Sequence, residues 1–364
     1  MKVAFVFYLH NTLGGAERRL LRAYSLLCST NSSVKLDIII RGTDSENALK
    51  CIKYANCNVD YFNKIICFNG GAESLKYLAV NHYDIIHYFE GNRFNTILQL
   101  IAFLKKEKTV YTICGYMEAY NTAPKAKMKW VKRQIRIANT IDVLYPSGID
   151  FIRSVKSNAN VEITPGTFTD LKCFNPGEKK KIMVFAAARL EQSKNPMLLI
   201  EACNQVKEYI RENQYQIVVL GQGKLEKEII DKIEKYGIKD IVHLEGYRRT
   251  EQYLPNARVF FSLQREENYP SQALAEATAC GCYLIITDVG DSRRCANSNF
   301  ASFINIDSNE LADAILYYIN MNEFQKKQII SEARKFAENA YSIEKSSLYY
   351  QDILEKLVHS NKEK

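Results

Sequence analysis

The densest chemistry in the sequence lies between Ser262 and Asp288, in SLQREENYPSQALAEATACGCYLIITD. A strand is expected to end near Leu263. A helix of good formers should then run from near Pro270 to Gly281, with proline in its first turn and glycine at its end. The start of such a helix carries free N–H groups and a positive end, which suits an anionic or hydroxyl-rich ligand. Glu276 falls inside it among Ala273, Leu274, Ala275, Ala277 and Ala279. A carboxylate on a small apolar segment needs a partner, and paired ligand hydroxyls would serve; a solvated helix face is the plainer alternative. A second stretch, AAARLEQSKNP at 186–196, places Arg189 and Lys194 in a loop after an expected strand. Asn195 reads there as an N-cap and Pro196 as the first helical residue. Two cations at a strand's carboxyl end can clamp a diphosphate, although either alone reads as a surface charge. A third stretch, LGGAER at 13–18, follows the first expected strand. Its Gly14 and Gly15 allow close backbone approach but fall short of a dinucleotide fingerprint.

Together these segments resemble the donor site of retaining glycosyltransferases of family 4 (glycosyl transferases group 1), which share the two-domain GT-B architecture. The resemblance implies that Glu276 binds the nucleotide ribose and that Arg189 and Lys194 neutralise the leaving diphosphate. It implies that Glu267, with the Asn268-Tyr269-Pro270-Ser271 turn, contacts the donor sugar. In the family seven residues separate the two glutamates, whereas eight separate Glu267 from Glu276. Strict spacing puts Asn268 in the first position, while the following Tyr-Pro favours Glu267. VVLGQG at 218–223, with Gly221, resembles the family's turn beside the nucleotide, and HLEGY at 243–247, with Gly246 and Tyr247, the stretch that reads the base. TDVG at 287–290 resembles the loop after the glutamate helix. In the first half the family carries a histidine where this chain reads Thr112-Ile113-Cys114-Gly115; a cysteine cannot take over its hydrogen bond to the sugar. Cys114 and His10 are therefore further site candidates, with Glu90 and Glu118 behind them, and an ordinary loop histidine is the plainer reading of His10.

The elements that must hold these residues follow from pattern. Val3–Tyr8, Val34–Ile40, Ile85–Tyr88, Thr109–Ile113 and Val143–Tyr145 read as strands beside helical segments such as Ala16–Leu27. The alternation predicts βαβ units and a parallel sheet. A Pro- and Gly-bearing stretch, Ile163–Pro176, reads as a linker. A second alternation follows in Ile182–Ala187, helix Pro196–Tyr209, Ile217–Leu220, Val242–Leu244, Val259–Leu263 and Tyr283–Thr287. The expected fold class is α/β, a GT-B pair of doubly wound Rossmann-like domains facing across a cleft: an acceptor-side domain over 1–168 and a nucleotide-sugar domain over 169–342. The helix at 343–364, with Leu348, Ile353, Leu354 and Leu357 on one side, is a candidate to pack back on the first domain.

The 364 residues suffice for two cores, and 47% hydrophobic with 25% charged residues is ordinary for a soluble chain. No apolar run reaches the roughly 20 residues that span a bilayer, and the opening apolar run leads into Gly14-Gly15 without a cleavage site. A cytoplasmic protein is expected, at most peripheral on the inner face of the membrane. The ten cysteines are scattered and read as reduced thiols; the lone Cys280-x-Cys282 pair is weak ground for zinc. No D-x-D motif stands out, so a metal-independent enzyme using a UDP- or GDP-sugar is expected. The net charge of +8 suits anionic partners. Lys125–Arg136, KAKMKWVKRQIR, gathers six basic residues around Met128, Trp130, Val131 and Ile135. It reads either as an amphipathic contact with anionic membrane or as a solvated basic face. With one interleaved aromatic and no known module, nucleic acid is not an expected partner. The expected reaction is sugar transfer to a hydroxyl of a glycan or lipid-linked glycan in surface polysaccharide biosynthesis. A non-catalytic GT-B partner subunit and a nucleotide-sugar epimerase are the rival readings.

Overall fold

The computed structural model describes residues 1–9, 13, 15–54, 57–89, 91–115 and 125–359. His10, Gly14, Glu90 and Glu118 lie outside them. The chain forms two compact units, one of residues 1–166 with the segment from Ile343 onward, the other of Thr167–Ser342.

In the first unit β1 (Lys2–Tyr8), β2 (Lys35–Arg41), β3 (Lys64–Phe68), β4 (Ile85–Phe89), β5 (Lys108–Ile113), β6 (Thr140–Val143) and β7 (Val161–Ile163) build one sheet in the order β3-β2-β1-β4-β5-β6-β7. All of its pairings are parallel. The central strands are covered on both faces, so they read as unbroken apolar runs: Val3, Ala4, Phe5 and Val6 are fully buried. One face of the sheet packs Leu78, Leu98, Ala102, Val131 and Ile135 from the helices Gly71–Val80, Arg93–Leu104 and Lys125–Ile137. Helix Gly15–Thr30 follows β1 and packs against the C-terminal helix Ile343–His359.

The second unit repeats the plan with β8 (Ile182–Arg189), β9 (Gln216–Gln222), β10 (Val242–Gly246), β11 (Val259–Ser262), β12 (Tyr283–Thr287) and β13 (Ala301–Ile304), ordered β10-β9-β8-β11-β12-β13 and again parallel. In both sheets the direction of winding reverses between the first and fourth strands of the unit. The crevice outside the carboxyl ends at that reversal is where doubly wound sheets bind ligands.

Several local expectations change. The strand expected at Val143–Tyr145 is Thr140–Val143, because Leu144 onward turns into the Pro146–Gly148 turn. The single helix expected over Pro196–Tyr209 is two helices, Pro196–Gln205 and Lys207–Glu212, hinged at the non-helical Val206. From Thr167 the expected linker is fastened to the second unit. Thr169 N–H donates to the Tyr341 carbonyl at 3.0 Å, and Arg334 donates to the carbonyls of Leu171 and Phe174. On the C-terminal helix Ile353, Leu354 and Leu357 are buried, whereas Leu348 is turned outward.

Candidate active site

The carboxyl ends of β8, β11 and β12 carry the second unit's polar machinery. Arg189 is the last residue of β8, and Lys194 ends a short 3-10 turn, Gln192–Lys194, before helix Pro196–Gln205. Asn195 occupies the N-cap position with Pro196 behind it, but it lies in the left-handed region at φ 52° and its side chain caps nothing. Its Oδ1 instead accepts from Arg265 Nε and Nη2, both at 3.3 Å, while the Arg265 N–H donates to the Ser193 carbonyl at 3.0 Å. This ties the loop after β8 to the loop after β11.

A second tie runs through Gln264. Lys194 Nζ donates to Gln264 Oε1 at 2.8 Å, and Gln264 Nε2 donates to Asn268 Oδ1 at 2.8 Å. Ser262 Oγ donates to the same Oδ1 at 2.9 Å, and Thr287 Oγ1, from β12, donates to the Gln264 carbonyl at 2.6 Å. One chain of hydrogen bonds thus joins three strand ends and sets the Lys194 ammonium. Burial, and then the neighbouring Arg189 cation, hold the Lys194 pKa below the ordinary lysine range, partly offset by Glu191. Arg189 stays mostly in solvent, 3.7 Å from Glu191.

Glu267 is held by main chain. Its Oε1 accepts N–H bonds from Asn268 at 2.9 Å, Tyr269 at 2.9 Å and Asp291 at 3.0 Å. Gly290 makes the last one reachable: a Cβ there would sit 2.4 Å from Glu267 Oε2, and its φ is +53°. Oε2 makes no hydrogen bond among the described residues. Burial raises the Glu267 pKa, and the three amides pull the other way. Asn268, the alternative from strict spacing, is 2% exposed with its side chain spent on Ser262 and Gln264. The N–H groups of Asn268 and Tyr269 in the 268–271 turn are likewise engaged by Glu267.

The following helix is Gln272–Ala279, capped by Ser271, whose Oγ accepts from the Leu274 N–H at 3.3 Å. Pro270 therefore precedes the cap and does not begin the helix; the Tyr269–Pro270 peptide is cis. Glu276 Oε2 accepts from Thr250 Oγ1 at 2.7 Å and Oε1 from Gln272 Nε2 at 3.2 Å. Gly221, at φ +136°, lies so close to the Ala187 carbonyl that any Cβ would collide at 2.0 Å. Gly246 ends β10 at φ +69°, and Tyr247 beyond it is exposed.

Residues 169–341 match the family model described as glycosyl transferases group 1. The second unit is thus similar to the glycosyl transferases, group 1. It is 25% identical over 243 residues to the Campylobacter jejuni GalNAc-alpha-(1->4)-GalNAc-alpha-(1->3)-diNAcBac-PP-undecaprenol alpha-1,4-N-acetyl-D-galactosaminyltransferase, covering 66% of each chain. It is 26% identical over 165 residues to N-acetylgalactosamine-N,N'-diacetylbacillosaminyl-diphospho-undecaprenol 4-alpha-N-acetylgalactosaminyltransferase of the same organism, over 41% of this chain and 44% of that one. The match thus spans just under two thirds of the first relative's length and less than half of the second's. Among solved structures, Anabaena Alr3699/HepE in complex with UDP superposes with a TM-score of 0.78 at 14% identity, covering 98% of this chain and 100% of that one. The pneumococcal O-GlcNAc transferase GtfA, in complex with UDP and GlcNAc, does so with 0.70 at 11% identity, covering 99% of each. The fold is α/β of the GT-B kind.

The sequence pattern pointed to Arg189, Lys194, Glu267 and Glu276, and the second unit brings all four to the carboxyl ends of its strands or the helix that follows. It left Gln264, Thr250 and Asp291 without roles. Gln264 stood in plain view two residues beyond β11, but a glutamine in a loop carries neither charge nor periodicity to mark it. In the first unit Gly15 begins its helix, and among the described residues nothing lies against the position of a Cβ there. Cys114 follows β5 beside Arg19, and burial pushes its thiol up to about 12, so it is a neutral thiol at ordinary pH.

Proposed function

We propose that this glycosyltransferase moves a sugar from a nucleoside-diphosphate sugar to a hydroxyl of a glycan or lipid-linked glycan, with retention at the anomeric carbon. The observation that carries the reading is the Lys194–Gln264–Asn268 chain, which holds a half-buried cation at the sheet's reversal point, one residue from the main-chain-held Glu267 at its far end. As the bond from the anomeric carbon to the diphosphate oxygen breaks, negative charge grows on the diphosphate. Lys194 and Arg189 meet that charge, and a preorganised, half-buried cation such as Lys194 is worth more than one free in water. The acceptor oxygen bonds to the anomeric carbon and its proton passes to the departing diphosphate. Oε2 of Glu267 accepts from the sugar hydroxyls, and Glu276 from the ribose in place of Thr250 and Gln272.

UDP is the favoured nucleotide, because Alr3699/HepE and GtfA were crystallised with it. A diphosphate-linked lipid acceptor is favoured because both Campylobacter relatives are named for one. The clamp of side chains and helix N-terminus meets the phosphate charge without requiring a metal. The protein works in the cytoplasm at the inner face of the membrane.

The first unit supports the membrane contact in an unexpected way. Val131 and Ile135 of the basic helix are buried in the core, so its apolar side is not available to lipid. Lys129, Arg133 and Arg136 point outward from it. The adjacent helix Arg93–Leu104 supplies the apolar part: Leu100, Phe103 and Leu104 are exposed, Phe103 by 72% and Leu104 by 79%. Neither helix contains an acidic residue. An apolar ridge beside a basic stripe fits an anionic bilayer.

A panel of UDP-, GDP- and TDP-sugars with mass-spectrometric readout tests the reaction. Donor consumption with at least one UDP-sugar is expected, and intact donors throughout would sink the transferase reading and leave the non-catalytic one. Release of an epimerised nucleotide sugar would point to the epimerase instead.

A further inference from the structure

Arg19 stands at the start of the second turn of helix Gly15–Thr30 and is 7% exposed. A helical side chain leans toward the helix N-terminus, here the end that follows the carboxyl end of β1. Nη1 donates to the Tyr350 hydroxyl at 2.9 Å, and that hydroxyl donates to Asp142 Oδ2 at 3.1 Å. Asp142 is fully buried and also accepts from Thr112, Thr164 and Tyr349, at 2.7, 2.5 and 2.7 Å. The buried guanidinium therefore has its countercharge one hydroxyl away, and Nη1 is anchored by it.

The other two positions are not used. Nε and Nη2 of Arg19 are buried, with no oxygen or nitrogen partner within hydrogen-bond distance among the described residues. They are the side-on edge of the guanidinium, the pair of parallel N–H groups that matches two oxygens of a carboxylate or phosphate. Elsewhere the same protein fills that edge: Arg211 Nε and Nη2 donate to the two oxygens of Asp240 at 2.7 and 2.8 Å, and Arg293 grips Asp288 in the same way. At Arg19 the edge is desolvated and, among the described residues, meets no anion, which is costly unless one completes it. Among the described residues the guanidinium has only the Cys114 thiol as a further side-chain partner, and burial keeps that thiol neutral.

We propose that the Nε/Nη2 edge of Arg19 is a binding site for a substrate oxyanion of the phosphate or diphosphate class. The inference rests on the reading of this chain as an enzyme that handles a nucleoside-diphosphate sugar and a diphosphate-linked acceptor, either of which can supply the group. It gives the first unit a ligand-binding side chain where the expected histidine is replaced by Cys114.

The test titrates the full chain with inorganic pyrophosphate and, separately, with UDP, in native-spectrum Arg19→Lys and Arg19→Gln variants. Lysine keeps the charge but loses the fork. With the second unit's clamp removed by Arg189→Ala and Lys194→Ala, pyrophosphate should still bind, and adding Arg19→Lys should weaken it on the order of tenfold. Unchanged UDP affinity in the single Arg19→Lys variant assigns the oxyanion to the acceptor; a matching fall assigns it to the donor. If folded variants bind both probes as the parent does, or if the clamp-free chain binds no pyrophosphate, Arg19 is only the countercharge of Asp142 and the proposal fails. Should neither variant fold, crystals of the unmutated chain soaked in tungstate should show an anomalous peak against Nε and Nη2, and no peak there overturns it. A chain that holds pyrophosphate through Arg19 yet consumes no nucleotide sugar would keep this site and lose the donor reading.

Discussion

Lys194 is the residue on which the proposed chemistry can be tested by pH alone. It must be protonated to meet the diphosphate, so activity is lost as pH rises through its pKa. Burial first and Arg189 second lower that pKa, with Glu191 opposing. The alkaline limb of kcat/KM, which reports the free enzyme, is therefore expected below the ordinary lysine range of about 10.4. Arg189→Ala removes a repelling cation and should move the limb up; Glu191→Gln removes an attracting anion and should move it down. A limb that ignores both substitutions would take Lys194 out of the titrating role. Residue types made this site legible in sequence: paired cations after a strand, and glutamates around a turn. What they could not show was support. Glu267 owes its position to amides of Asn268, Tyr269 and Asp291, and main-chain donors are the same in every sequence. Arg19, likewise, has the type of a surface helix charge, and only burial and an unfilled fork distinguish it.

At the scale of elements, the helix Arg93–Leu104 shows what periodicity conceals. Its inner residues Leu98 and Ala102 are buried, as an amphipathic pattern requires, but its outer face is apolar too. A helix apolar on both sides is indistinguishable in sequence from one wholly inside the core, whereas its basic neighbour has an evident amphipathic pattern but turns its apolar residues Val131 and Ile135 inward. Liposome sedimentation separates the two roles. With vesicles rich in anionic lipid, Phe103→Asp with Leu104→Asp should lower binding by about tenfold or more, since each removes an apolar side chain from lipid contact. Lys129→Gln with Arg133→Gln should lower it by less, and the remaining binding should lose its salt dependence. Consumption of donor with a water-soluble acceptor should survive both changes. Binding unaffected by the two aspartates would leave the ridge without a role in membrane contact.

At the scale of the whole molecule, the sequence showed two rounds of alternating strands and helices, and the central strands of both sheets were readable because a parallel sheet covered on both faces writes itself as unbroken apolar runs. The short strands β3, β7 and β13 were not, because sheet edges need no such run; Lys64–Phe68 and Val161–Ile163 are only half-buried. Nor could local pattern reveal that Asp142 in β6 is met by residues more than two hundred positions later. Tyr349 and Tyr350 of the C-terminal helix provide two of the four hydroxyls on that carboxylate. The helix is thus a structural part of the first unit, and the consequence is measurable. The single tryptophan, Trp130, lies in that unit, so its fluorescence reports the unfolding of the first unit alone, while far-ultraviolet circular dichroism reports both. Tyr349→Phe and Tyr350→Phe should each cost about 1–3 kcal/mol, the range for leaving a buried polar group short of a partner, and should shift the tryptophan transition to lower denaturant with its slope unchanged. Tyr350→Phe should cost the more, since it also unseats Arg19. A tryptophan transition that stays in place in both variants would show that the first unit draws no stability from the returning helix through Asp142.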